Sequence, residues 1–388
     1  MSDLQQDQRA TDAMLYSMKP SAVSSRSYRD SISAINGNSH ASGTPIKINI
    51  PAGRKGTYLD CSQSYIKFKV DNTTGAVLTL SGSGAWVFIQ RLDVYHGSNL
   101  LESINEYGRL HQALYDMGMN MGDKDTAGTF EGSIVQTYTT PATFAGSTIY
   151  TLDAPNRIGA NIASGADETF YIPLVSGVVG QLVDKYIPLG EMSADLRLEF
   201  TLYQANIAGQ HASTAPAWNI VDFTYEAQIV EVDGNVQQEI DQATLGYYRI
   251  HGTSWGEYNT TVASGDGSKS FLIPARYASL KNLLVVQQNQ AIANGATATH
   301  AIACRTKANM SKYQFKVGSL QVPQTPVELD ATGNLRGAEG FAELKKSFHS
   351  TRHTFASRCA MKGWSIAEIS AQGGWKDLRV LKRYTHLA

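Results

Sequence analysis

The chain has 388 residues, 42% hydrophobic and 17% charged, with a formal net charge of −1. That length and balance fit two or three globular domains with cores of their own. No apolar run approaches the ~18 residues of a membrane span, and the opening residues Asp3, Gln5, Gln6, Asp7 and Gln8 do not read as a secretory signal. The expectation is therefore a protein made in a cytoplasm. Cys61, Cys304 and Cys359 are odd in number and widely scattered, which points to small buried hydrophobes rather than a disulfide framework or a clustered zinc site.

Residues 1–45 are polar and poor in large apolar side chains, with one short helical stretch near Thr11–Met18 that Pro20 ends. Too little apolar surface is present to offset chain ordering, so this segment is read as a flexible N-terminal arm. From Ile46 the texture becomes β. Ile46, Ile48 and Ile50 alternate with polar neighbours, and Tyr65–Val70 alternates again after a turn at Pro51–Gly56. Trp86–Ile89 and Leu92–Tyr95 read as strands, followed by a turn at His96–Asn99 and a helix over Ser103–Met117. Strand patterns resume at Thr169–Leu174, Lys185–Leu189 and Leu196–Tyr203. Together these predict a first β-sandwich over 46–208 with an inserted helix.

A loop at Gly209–Pro216 then separates a second β block. Its predicted strands are Val221–Tyr225, Ala227–Val232, Tyr247–Ile250, Ser270–Pro274, Leu283–Val286 and Tyr313–Val317. Sheets of this pattern must bury one face on another, so a second sandwich is expected over 217–348, short for eight strands and hence incomplete. Trp86, Trp218 and Trp255 are either packed in these cores or exposed as ligand platforms.

The last forty residues differ. Thr351–Met361 is helical by composition and Gly363 ends it. Ser365–Glu368 forms a capping box with Trp364 and Ile369 as a staple, and Asp377 caps a third helix carrying Leu378, Leu381 and Tyr384. Residues 341–388 hold nine Lys and Arg against three acidic residues, a formal +6, which leaves −7 on the other 340. A basic tail on an acidic body is the electrostatic footprint of a segment that meets polyphosphate, or else a solvated helix face. Three short helices would bring His349, Arg352, Trp375 and Tyr384 to one pocket.

Two resemblances follow from these residues. The run Tyr58–Val70, the run Phe88–Ser98 with the Asn105-Glu106-Tyr107 helix start, and the segments Val183–Gly190 and Ile273–Lys281 resemble the double jelly-roll major capsid proteins of tailless DNA viruses and Polinton-like elements, over about residues 45–348. The resemblance implies a mainly β fold of two tandem jelly rolls. It also implies pseudo-hexagonal trimers that tile a shell, location in the virion, and no small-molecule substrate or cofactor. That family's second jelly roll is longer, so the chain departs from the pattern near Ser347–Ser350.

The set His349-x-x-Arg352-His353, Gly373-Gly374-Trp375 and Arg383-Tyr384-x-His386 resembles the C-terminal end of a tyrosine recombinase, the phage integrase family. Carried over residue by residue, Tyr384 would attack a DNA phosphate, Arg352 would clamp its oxygens, His349 would bond the phosphate or shuttle a proton, and Trp375 would pack against it. DNA is the partner this implies. The family also uses an earlier arginine and a hairpin lysine. Thr332–Glu339 echoes the arginine element, but only twelve residues lie between Arg336 and His349, which leaves no room for the hairpin.

The expected organisation is thus a mainly β coat-like body of two jelly rolls, the second incomplete, with a short α-helical, catalytically incomplete recombinase tail over 349–388. The alternatives are a DNA integrase acting through Tyr384, and a β-sandwich module that binds a receptor or glycan.

Overall fold

The computed structural model describes residues 25–118, 131–132, 138–144, 147–152, 161–183, 185–210, 216–263, 265–274, 280–295, 301–306 and 310–329. The chain divides into two compact units, residues 1–306 and 307–388.

Eight strands of the first unit form its sandwich: β1 (Ser25–Ser33), β2 (Pro45–Ile50), β3 (Thr57–Asn72), β4 (Ile89–His96), β5 (Asn99–Ile104), β6 (Asp167–Pro173), β7 (Leu196–Leu202) and β8 (Trp218–Val232). They pair in two antiparallel sheets, one in the order β1-β8-β3-β6 and the other β2-β7-β4-β5. Numbered along the chain, the sheets read 1-8-3-6 and 2-7-4-5. Each strand of one sheet thus has a sequence neighbour in the other, the double Greek-key winding of a jelly roll. Ser39–Ala41 also pairs with β8, while Leu78–Leu80, Asn161–Ile162 and Gly209–Gln210 form a separate small sheet and Tyr138–Phe144 pairs with Ser147–Leu152 in a hairpin.

Alternation explains why these residues fold as they do, since every second side chain of a strand faces the same side. Ile46, Ile48 and Ile50 on β2, Ile66, Phe68 and Val70 on β3, and Leu196, Leu198, Phe200 and Leu202 on β7 are all buried in one core. At its centre Phe68 stacks on Phe223 of β8 with ring centroids 5.5 Å apart, and Phe200 meets Phe223 at 5.1 Å. Full burial of side chains this size stabilises by roughly 1.5–3 kcal/mol each. β8 bulges between Val221 and Thr224, where Asp222 adopts φ +52°. Aspartate tolerates that left-handed conformation better than most residues, so the bulge bends the strand around the core.

Several expectations change here. Residues 25–45 belong to the sandwich: β1 pairs with β8 from Ser25↔Val232 to Ser33↔Thr224, and Ser39–Ala41 also joins β8. Only residues 1–24 of the expected arm lie outside the described residues, together with the short helix near Thr11–Met18. Trp86–Phe88 is part of a buried 3-10 turn, Ala85–Phe88, before β4 starts. The helix α1 covers Tyr107–Gly118, because Ser103 and Ile104 finish β5. Lys185–Leu189 contributes one bridge, Ile187 to Leu59, rather than a strand.

The larger correction concerns residues from 217 onward. The strands read at Val221–Tyr225 and Ala227–Val232 are one strand, β8, which lies between β1 and β3 in the first sandwich. A second helix, α2 (Gly234–Thr244), follows; the Asp233 carboxylate accepts from Gly234 N at 2.7 Å and Leu245 closes it at φ +53°. The predicted strands Tyr247–Ile250, Ser270–Pro274 and Leu283–Val286 lie in irregular backbone with much of their apolar surface exposed. In the second unit, β9 (Lys312–Val317) and β10 (Leu320–Glu328) form an antiparallel hairpin, which matches the strand predicted at Tyr313–Val317.

Candidate functional site

His349, Arg352, Trp375 and Tyr384, the residues singled out for phosphate chemistry, lie outside the described residues, as does Arg336. What the described residues offer is a rigid sandwich with anchored ends and two kinds of open surface.

The end beside α1 is fixed by a buried polar hub. Gln112 Oε1 accepts from Ser83 N at 2.8 Å and Trp86 Nε1 at 3.1 Å, while its amide nitrogen donates to Ser83 Oγ at 2.9 Å and Asp116 Oδ1 at 3.0 Å. One side chain thereby ties helix, turn and loop together. Trp86 also stacks on His111, centroids 4.4 Å apart and planes 11° from parallel, and Tyr107 meets the same imidazole edge-on. Burial alone drives the His111 pKa down to about 3, so the ring is neutral in the fold. Trp218 packs edge-on against Phe88 at 4.8 Å and donates to Ala205 O. Trp86 and Trp218 are core side chains, not ligand platforms; Trp255 is half-buried against the same core.

A second anchor lies under β5. The buried Glu102 carboxylate accepts from Ser176 Oγ and, at 2.9 Å, from Gly177 N, and Ser176 Oγ in turn accepts from Val178 N and Val179 N, both at 3.1 Å. Tyr107 Oη accepts from Val175 N at 2.9 Å. The loop 175–179 is therefore bound to β5 and α1 by carboxylate and phenol, and Gly177 comes so close to Gly252 that a side chain on Gly252 would overlap its carbonyl. A third anchor fixes α2: Gln237 accepts from the buried Tyr58 hydroxyl at 2.7 Å and donates to Asp241 Oδ1 at 2.7 Å, with Lys55 paired to Asp241 at 2.8 Å.

The open surfaces are the sheet faces and edges. On the outer face of the first sheet Tyr65 and Tyr171 meet edge-on at 5.2 Å, with Arg29 over Tyr65 and Lys67 over Tyr171. Glu226 accepts from Ser31 and Thr224 nearby, and Lys69 lies between Asp167 and Asp222. The face carries both signs of charge. Its edge strand β1 is exposed along almost its whole length and bears Arg26, Arg29 and Asp30, the polar dress that keeps an open edge from pairing indiscriminately. The β5 edge is dressed differently, with exposed Leu100 and Leu101. Sequence reading missed β5 because it took Ser103 onward for helix.

This geometry suits association through rigid surfaces. Comparison with known proteins gives three findings. Residues 320–388 match the model of the phage integrase family, a span that starts well upstream of His349, takes in Arg336 and includes residues 320–348 that were expected to complete a second sandwich. Among curated protein sequences none matches the chain. Similar solved structures include PBCV-1 VP54 fitted into a cryo-EM reconstruction of the virophage Sputnik (17% identity, TM-score 0.37, covering 56% of this chain and 45% of that one). The quasi-atomic model of the PBCV-1 virus capsid (14%, 0.39, 58% and 46%) and the Faustovirus major capsid protein (7%, 0.35, 59% and 58%) are also similar. The chain spans about half the length of these structures.

Proposed function

We propose that residues 25–306 serve as a viral coat module that assembles with copies of itself, as trimers of a shell, and that the protein resides in the virion. The observation that carries the reading is the strand order 1-8-3-6 and 2-7-4-5. Jelly rolls serve viral coats, lectins and cupins alike. The coat reading is favoured among them by the resemblance of Tyr58–Val70 and Phe88–Ser98 to capsid proteins, and by Trp86 and Trp218 lying in the core where no glycan reaches them. Size-exclusion chromatography with light scattering, followed by negative-stain microscopy, should find trimers and larger closed assemblies. A monomer at every concentration would end the proposal.

A second reading is favoured by the family match over 320–388: DNA strand transfer through Tyr384, with Arg352, His349 and Trp375 at the phosphate. We propose instead that this tail is catalytically incomplete and contacts DNA through its +6 charge, because a cationic group and a proton donor account for orders of magnitude in such chemistry. On a nicked suicide substrate the protein should leave no covalent adduct. An adduct that Tyr384→Phe abolishes would establish the integrase reading.

A further inference from the structure

Two features of the first unit lack partners among the described residues, and they complement one another. The first is β5, which ends its sheet: β4 pairs with one side of it, and no described strand pairs with the other. An open strand side presents a row of free amide and carbonyl groups, and here it also carries Leu100, 54% exposed, and Leu101, 49% exposed. β1 guards its edge with charge. β5 does not, since its one acidic side chain, Glu102, is buried beneath it.

The second feature is Leu283-Leu284-Val285-Val286. Its β-branched and leucine composition suits a strand, yet it lies in irregular backbone, with Leu283, Val285 and Val286 41–56% exposed and no ladder hydrogen bond to any described residue. Exposed apolar runs of this kind mark surfaces that meet another chain.

We infer that Leu283–Val286 of one copy adds as a strand to the free side of β5 in a second copy. Strand addition supplies main-chain hydrogen bonds to both partners at once, and the alternate side chains give it register. The occupant is a second copy of this chain because donor and acceptor are both carried by the same first unit, and neither run includes a charged residue other than the buried Glu102. The contact rests on the self-assembly proposed above. Donor and acceptor are different patches, so passing the strand from copy to copy in one direction closes a ring, a trimer among them, whereas mutual exchange gives a two-fold dimer; the proposed trimer requires the first.

The test uses the full chain. Leu101→Lys blocks the acceptor and Val285→Lys the donor, and both positions are exposed, so each variant should keep the parent's thermal melt. By light scattering the parent should be a closed oligomer and each variant alone a monomer. An equal mixture of the two should give dimers only, because one intact acceptor meets one intact donor. Leu101→Cys/Val285→Cys should cross-link between chains under oxidising conditions. If both lysine variants keep the parent's size, or their mixture stays monomeric, the strand-addition contact is wrong while self-assembly stands. A monomeric parent would remove both.

Discussion

Two strand-like runs of this chain meet different fates. Leu196–Leu202 alternates apolar with polar residues and, as β7, lies between β2 and β4 with every second residue buried, whereas the continuously apolar Leu283–Val286 has no paired neighbour among the described residues. The difference teaches that apolar content alone does not make a strand. A strand is made by what lies beside it.

That comparison can be broken most sharply at Phe223, where Phe68 and Phe200 converge. Phe223→Ala should cost about 3–5 kcal/mol in denaturant unfolding, while a loss below 1 kcal/mol would mean the sandwich is not closed around it. Next in size is Gln112→Ala, which removes the buried acceptor shared by Trp86 Nε1 and Ser83 N. A loss of about 2–3 kcal/mol is expected from these two broken hydrogen bonds.

Legibility in the sequence followed the same line. Strands β2, β3, β4, β6 and β7 were readable because their alternation is local, and β5 was lost to a helix reading that began too early. β8 was recognised as strand but assigned to the wrong sandwich, since its partner β3 lies some 160 residues away, as in Ile220↔Val70 and Ile229↔Leu59, and pairing across that distance leaves no local trace. β1 was missed for the opposite reason: an exposed edge strand needs few apolar residues, so its composition resembles that of an arm. Trp86–Ile89 misled because a continuous buried run fits strand and turn equally. The recombinase-like residues were legible as a motif alone.

An effect of comparable size should appear with acid. His111 is held neutral, its pKa near 3 in the fold against the ordinary 6.5. The unfolded chain therefore binds the extra proton between those values. Stability is complete above about pH 6.5 and falls by on the order of 1 kcal/mol per pH unit as acid is added, until the folded ring protonates near 3. His111→Phe should flatten this part of the pH profile; an unchanged slope would assign the acid sensitivity to carboxylates. The smallest effect belongs to Leu272, 92% exposed. Leu272→Ala should change stability by less than about 0.5 kcal/mol, in contrast to Phe223→Ala, and a core-sized loss would show that its segment is packed after all.

Hydrogen exchange followed at several protein concentrations tests most directly whether one set of strands is complete within the chain and the other is completed by a neighbour. Amides of β8 should exchange slowly at every concentration, since both of its flanks are paired. Those of Leu283–Val286 should exchange fast in dilute monomer and become protected as oligomers form. Equal protection of Leu283–Val286 in monomer and oligomer, or fast exchange throughout β8, would contradict the account.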